Sequence, residues 1–169
     1  TSSRVILFDT KGNIVFVSQY EFKQYFPKNG WVEHNPNEIW STTIRALKQV
    51  INKAKKLKGH ILTIGITNQR ETTILWNKKT GKPVYNAIVW QDRRTQDYCK
   101  ILKKKNYESS FRNKTGLFLD PYFSATKIKW ILDNVKISKK LLSSNDLLFG
   151  TVDTFLIWKL TKGKQHLTE

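Results

Sequence analysis

Residues Asn35 to Lys56 read NPNEIWSTTIRALKQVINKAKK, and no other stretch restricts the fold as strongly. Asn35 is a good helix cap, Pro36 suits the first helical position, and Glu38 is placed to complete a capping box. Ile39, Trp40, Ile44, Leu47, Val50, Ile51 and Ala54 follow at helical spacing, so the helix has one face to bury. Before it stand two β-prone runs, Ser3–Asp9 and Ile14–Tyr20, whose TKGN link predicts a hairpin. After it come three more β-prone runs, Ile61–Ile66, Thr72–Trp76 and Val84–Trp90, the last two joined by the turn NKKTGK. Helices are predicted over Arg94–Lys104, near Tyr107–Asn113, over Pro121–Leu132 and over Thr151–Leu160, with a short strand at Leu147–Phe149. Hairpins first, then strands alternating with helices, predict one α/β domain with a mixed β-sheet flanked by helices.

Composition narrows the class. Across 169 residues, 39% hydrophobic content and six Trp are enough for a true core. No apolar run is long enough to span a bilayer, and Cys99, the one cysteine, allows no intrachain disulfide. A cytoplasmic protein without a membrane partner is therefore expected. The sequence holds no Met at all, which predicts a piece of a longer translated chain. Its formal charge of +17 raises the question of nucleic acid. The lysines cluster at Lys53, Lys55, Lys56 and Lys58, at Lys103, Lys104 and Lys105, and at Lys139 and Lys140, without interleaved aromatics. That distribution reads as a solvated surface, with no nucleic acid as partner, and a basic nucleic-acid-binding module stays as the alternative. No Walker A motif, GxGxxG or His-Cys metal cluster is present, so no metal-ligating residues are assigned.

Four places carry side chains suited to chemistry. Between Ile61–Ile66 and Thr72–Trp76 lies Asn68-Gln69-Arg70-Glu71, a polar knot with no glycine. Neighbouring strand residues face opposite ways, so Arg70 and Glu71 share a ligand only where the backbone bends. One cation and one carboxylate together suit a polyhydroxylated molecule; the competing reading is a surface ion pair. Trp90 ends an apolar run before Asp92, Arg93 and Arg94, either as a wall for a small polar ligand or as a core-rim tryptophan. Asp92 is read as the N-cap of the helix that follows. Tyr122 opens the helix of DPYFSATKIKWILDN, as a ligand contact or as a core-edge residue. The hydroxyl-rich TSSR at residues 1–4 is a weak candidate for holding phosphate.

Taken together, TSSRVILFDTKGNIV, GWVEHNPNEIW, GITNQRETT, GKPVYNAIVWQDRRT, TGLFLDPYFSATKIKWILDN and LLFGTVDTFLIWKLT resemble the N-terminal domain of the FGGY carbohydrate kinases. Tyr122, Ser124, Lys127, Ile128, Trp130, Ile131, Asp133 and Asn134 fit the spacing of that family's signature, and NQRE and WQDRR are similar to its glycerol-phosphorylating branch. The resemblance implies an actin-like/ribonuclease H-like fold, here truncated at its first strand, with residues 1–169 forming part of the N-terminal domain. It implies ATP-dependent phosphorylation of glycerol to sn-glycerol 3-phosphate, with ATP and Mg2+ as cofactors and a homo-oligomeric parent enzyme. A kinase for another polyol or ketose is the nearest alternative. Arg70, Glu71 and Tyr122 match positions that hold the glycerol hydroxyls, and Trp90 matches the aromatic wall against its carbons. Thr1 and Ser2 match part of a loop that touches nucleotide phosphate, and Arg4 a basic residue just beyond it. The family's catalytic base, an Asp, and its second domain match nothing in residues 1–169, so no catalytic residue is assigned and the isolated piece is expected to be inactive.

Overall fold

The computed structural model describes residues 1–168. They fall into two compact units, one made of Thr1–Gln24 with His34–Thr67, the other of Tyr25–Glu33 with the chain from Asn68 onward.

The first unit is a hairpin with a helix laid on it. Strands β1 (Ser2–Phe8) and β2 (Ile14–Glu21) pair antiparallel, with Ser3 opposite Tyr20 and a register slip between Leu7 and Phe8. Asp9 closes the turn: its Oδ1 accepts from the backbone N–H groups of Lys11 and Asn13, and Gly12 takes the positive φ of 86° that the bend needs. The two-residue strands β3 (Gln24–Tyr25) and β4 (Glu33–His34) lie at the chain positions where one unit gives way to the other. Helix α1 (Pro36–Lys56) has the expected Asn35 cap, with Asn35 Oδ1 accepting from the Asn37 N–H at 2.9 Å, while Glu38 Oε2 accepts from the Lys23 N–H at 3.1 Å. Ile39, Ala46, Val50 and Ala54 form its buried face. Polar pairs pin it to the hairpin: Ser3 Oγ lies 2.9 Å from Thr42 Oγ1, and Ser18 Oγ donates to Gln49 Oε1 at 2.7 Å.

One expected strand does not form. Residues 61–66 carry no strand pairing, and Leu62 is 81% exposed. β-propensity describes a fit to a pleated, half-buried surface, and without a neighbouring strand these apolar residues have nothing to pair with.

The second unit holds β5 (Ile74–Asn77), β6 (Ala87–Ile88), α2 (Gln96–Lys104), α3 (Tyr107–Thr115), α4 (Ser124–Asn134), α5 (Lys136–Ser143), β7 (Leu147–Gly150) and α6 (Val152–Leu160). Strands β5 and β7 pair antiparallel with Ile74 opposite Gly150, while Thr73 and Ile88 exchange backbone hydrogen bonds at 2.9 and 3.0 Å. The architecture is α/β as expected, with its strands gathered into small sheets. Leu75, Ile88 and Ile131 make the core, packed round by Tyr85, Ile128, Trp130 and Leu147. Gly150 is where the strand meets its helix. A Cβ there would lie 2.5 Å from Thr154 Cβ, so only glycine lets β7 run this close to α6.

Three local expectations shift. Helix α4 starts at Ser124, not Pro121, because the Tyr122 N–H is drawn to Asp120 Oδ1 in a turn of its own. Helix α5 arises from a Lys-rich stretch with no cap signal, its Leu141 and Ser138 buried. Helix α2 starts at Gln96 with Thr95 as its cap residue, so Asp92 does not cap it.

Candidate functional site

Asp92 is instead fully buried and serves a charge cluster in the second unit. Its Oδ2 accepts from the Val32 N–H at 2.6 Å and its Oδ1 from the Arg94 N–H at 2.9 Å. The Arg94 side chain, itself 0% exposed, donates through Nη2 to both Asp92 Oδ2 and Glu33 Oε1 at 2.8 Å. Tyr85 Oη and Asn86 Nδ2 complete the shell of Glu33 at 2.7 and 2.9 Å. The guanidinium carbon lies 3.9 Å from the Trp31 ring centroid and 4.6 Å from that of Trp130, a cation between aromatic faces. Burial works against the Arg94 charge, but the hydrogen bonds to Asp92 and Glu33 outweigh it and hold its pKa above the ordinary value. The cluster braces the loop that follows Trp90.

The polar knot is a tight turn. The Thr72 N–H reaches back to the Gln69 carbonyl at 3.3 Å, placing Arg70 and Glu71 at the two central positions. Glu71 has φ +60°, a conformation that glycine or asparagine usually takes. Holding a non-glycine residue there costs on the order of 1–2 kcal/mol. The turn supplies the bend that two adjacent side chains need in order to serve one ligand. Arg70 is exposed, and Glu71 is half-buried.

Glu71 is held at both ends by the start of α4. Its Oε2 accepts from the Ser124 N–H at 3.1 Å and from Ser124 Oγ at 3.2 Å, a carboxylate at a helix N-terminus. Its Oε1 has no hydrogen-bond partner among the described residues and remains available as an acceptor. Lys127 Nζ donates to the Glu71 carbonyl at 2.8 Å and to the Tyr122 carbonyl at 2.6 Å. Lys127 is completely buried, and burial pulls its pKa down to about 8 against the opposing pull of the Glu71 and Asp92 charges.

Trp90 and Tyr122 stand side by side, ring centroids 6.0 Å apart at 65°, 41% and 37% exposed. Both aromatics are half open to solvent, and the Tyr122 carbonyl shares the Lys127 ammonium with the Glu71 carbonyl. A small molecule with carbons on one side and hydroxyls on the other matches that chemistry.

The remaining sequence candidates lie in the first unit. Ser2 and Arg4 share one face of β1 and one partner: Arg4 Nε donates to Gln19 Oε1 at 2.8 Å, and Gln19 Nε2 donates to Ser2 Oγ at 2.9 Å. Thr1 Oγ1 donates to Gln24 Oε1 at 3.1 Å. Of the lysine clusters, Lys55, Lys56 and Lys58, Lys103, Lys104 and Lys105, and Lys139 and Lys140 are exposed, while Lys53 is half-buried. Among the described residues no helix is long and apolar enough to cross a membrane.

Sequence reasoning attached no role to Lys127 or Ser124. A signal for Lys127 exists: it stands four residues before Ile131, on the helix face that enters the core.

Comparison with known proteins gives this geometry a family. The chain is 57% identical over all 169 residues to a glycerol kinase of Staphylococcus haemolyticus (strain JCSC1435) and, equally, to one of Geobacillus sp. (strain WCH70). It spans about a third of the length of these curated relatives, 34% in each case. The crystal structure of Plasmodium falciparum glycerol kinase with ADP superposes with a TM-score of 0.91 at 39% identity, covering 96% of this chain and 32% of that one. The fold is the actin-like one of the carbohydrate kinases. The model of the FGGY family of carbohydrate kinases, N-terminal domain, matches residues 1–169, and the chain belongs to that family.

Proposed function

We propose that residues 1–169 are part of the N-terminal domain of an enzyme that phosphorylates glycerol to sn-glycerol 3-phosphate with ATP. The observation that carries this reading is the 57% identity to glycerol kinases along the entire chain. In it, Glu71 accepts hydrogen bonds from glycerol hydroxyls, Arg70 donates to their oxygens, and Tyr122 makes a third hydroxyl contact. Trp90 covers the carbon chain. Two hydroxyls fixed in this way aim the third at the γ-phosphorus, so binding geometry becomes rate. Thr1, Ser2 and Arg4 serve the nucleotide phosphates.

Phosphoryl transfer of this kind is mostly positioning and charge stabilisation, with a base to take the hydroxyl proton. That base belongs to another part of the full-length protein, and residues 1–169 alone are inactive. Mg2+ would be held chiefly by the phosphate oxygens of the triphosphate in this reading. When bound, it neutralises phosphate charge. The full-length enzyme is cytoplasmic and homo-oligomeric in this reading, without nucleic acid or membrane as partner.

A substrate panel on the full-length protein tests the proposal. Glycerol is expected to give the highest kcat/KM; preference for a pentulose or a different polyol would replace glycerol as the substrate. Steeply salt-sensitive binding to nucleic acid, abolished by mutating one lysine cluster, would favour the basic-module reading instead.

A further inference from the structure

We infer that Lys127 is a positioning residue of the polyol site, a clamp that fixes the main chain of Glu71 and Tyr122 relative to one another. The inference rests on reading those two residues as glycerol contacts. Its observation is independent of that reading: one buried ammonium donates to both carbonyls, at 2.8 and 2.6 Å.

Glu71 lies in a turn and Tyr122 just before α4, far apart in sequence, and hydrogen bonds from Lys127 Nζ join them. The arrangement is economical because the same helical turn also supplies Ser124, which holds the Glu71 carboxylate. Side chain and backbone of Glu71 are thus fixed by two residues of one helix, and its positive φ is held in place. A long aliphatic residue at position 127 would fill the same space without desolvating a cation. What it cannot do is donate to two carbonyls at once. Loss of the clamp frees the turn and the Tyr122 backbone to move separately, and Trp90, in ring contact with Tyr122, loses a fixed neighbour. Sub-ångström precision at a binding corner depends on this kind of supporting contact.

The test is steady-state kinetics and thermal melting of the full-length protein as wild type, Lys127→Met, Lys127→Gln and Glu71→Gln. Lys127→Met is expected to raise the glycerol KM about tenfold or more with the ATP KM changed less than about twofold. Lys127→Gln, a shorter and uncharged donor, is expected to fall between it and wild type. A merely structural lysine would lower the yield of active enzyme and leave both KM values alone, and that result overturns the proposal. If Glu71→Gln raises the glycerol KM and neither Lys127 variant does, the clamp is wrong and the site stands. If none of the three changes it, the site reading falls and the clamp with it. Failure of both Lys127 variants to fold would make Lys127 a folding residue only, which also overturns the proposal.

Discussion

Replacing Arg94 by methionine tests the charge cluster that braces the loop after Trp90. The change removes three side-chain hydrogen bonds, from Nε to Asp92 Oδ1 at 2.9 Å and from Nη2 to Asp92 and Glu33 at 2.8 Å. It also removes the cation between Trp31 and Trp130. Glu33 keeps Tyr85 and Asn86, and Asp92 keeps the Val32 and Arg94 N–H groups, so neither carboxylate is stripped bare. Both nevertheless stay buried without the counter-charge that touches them. Breaking a buried ion pair from one side costs about 3–5 kcal/mol. At the urea m-value of a small domain, about 2 kcal/mol/M, the midpoint of unfolding would fall by roughly 2 M, and by proportionally less at the larger m-value of a longer protein. Trp31 and Trp130 flank the guanidinium and are among the tryptophans whose fluorescence follows unfolding of the full-length protein in urea. A loss under about 1 kcal/mol for Arg94→Met would refute the reasoning.

Other expectations follow from the same contacts. Lys127 has a folded-state pKa of about 8, below its unfolded value of 10.5, so the folded state sheds its proton first and stability rises with pH between those values. Wild type should gain up to about 3 kcal/mol over Lys127→Met from pH 8 to 10.5 in urea titrations; a flat difference would contradict the burial account. Gly150→Ala places a methyl 2.5 Å from Thr154 Cβ and 3.1 Å from the Trp76 ring. Overpacking of that kind costs about 1–3 kcal/mol and should lower the melting temperature; an unchanged melt would show that α6 yields freely. Asn35→Ala removes the cap of α1 and should destabilise the protein by about 1 kcal/mol, while Asn35→Ser should not.

Where local signals govern, the sequence was legible. The first hairpin, α1 with its Asn35 cap, and the passage from β7 into α6 all occur close to where turn residues, caps and periodicity put them. Residues 61–66 were not, because strand formation depends on a partner that no local pattern encodes. Asp92 reads as a cap from its neighbours alone, whereas its carboxylate is held by Arg94 and by the Val32 N–H, the latter about sixty positions earlier in the chain. The four polyol candidates were visible as residue types in suggestive places. That Glu71 occupies a bent turn, and that Lys127 ties it to Tyr122, required the fold.

The central claim is that Arg70, Glu71, Trp90 and Tyr122 grip glycerol, and a crystal structure of the full-length protein soaked in glycerol tests it most directly. Glycerol hydroxyls are expected at roughly 2.6–3.2 Å from the Glu71 carboxylate and the Arg70 guanidinium, with the carbon chain against the Trp90 ring. A polyol bound with full occupancy elsewhere, and solvent alone at this corner, would contradict it.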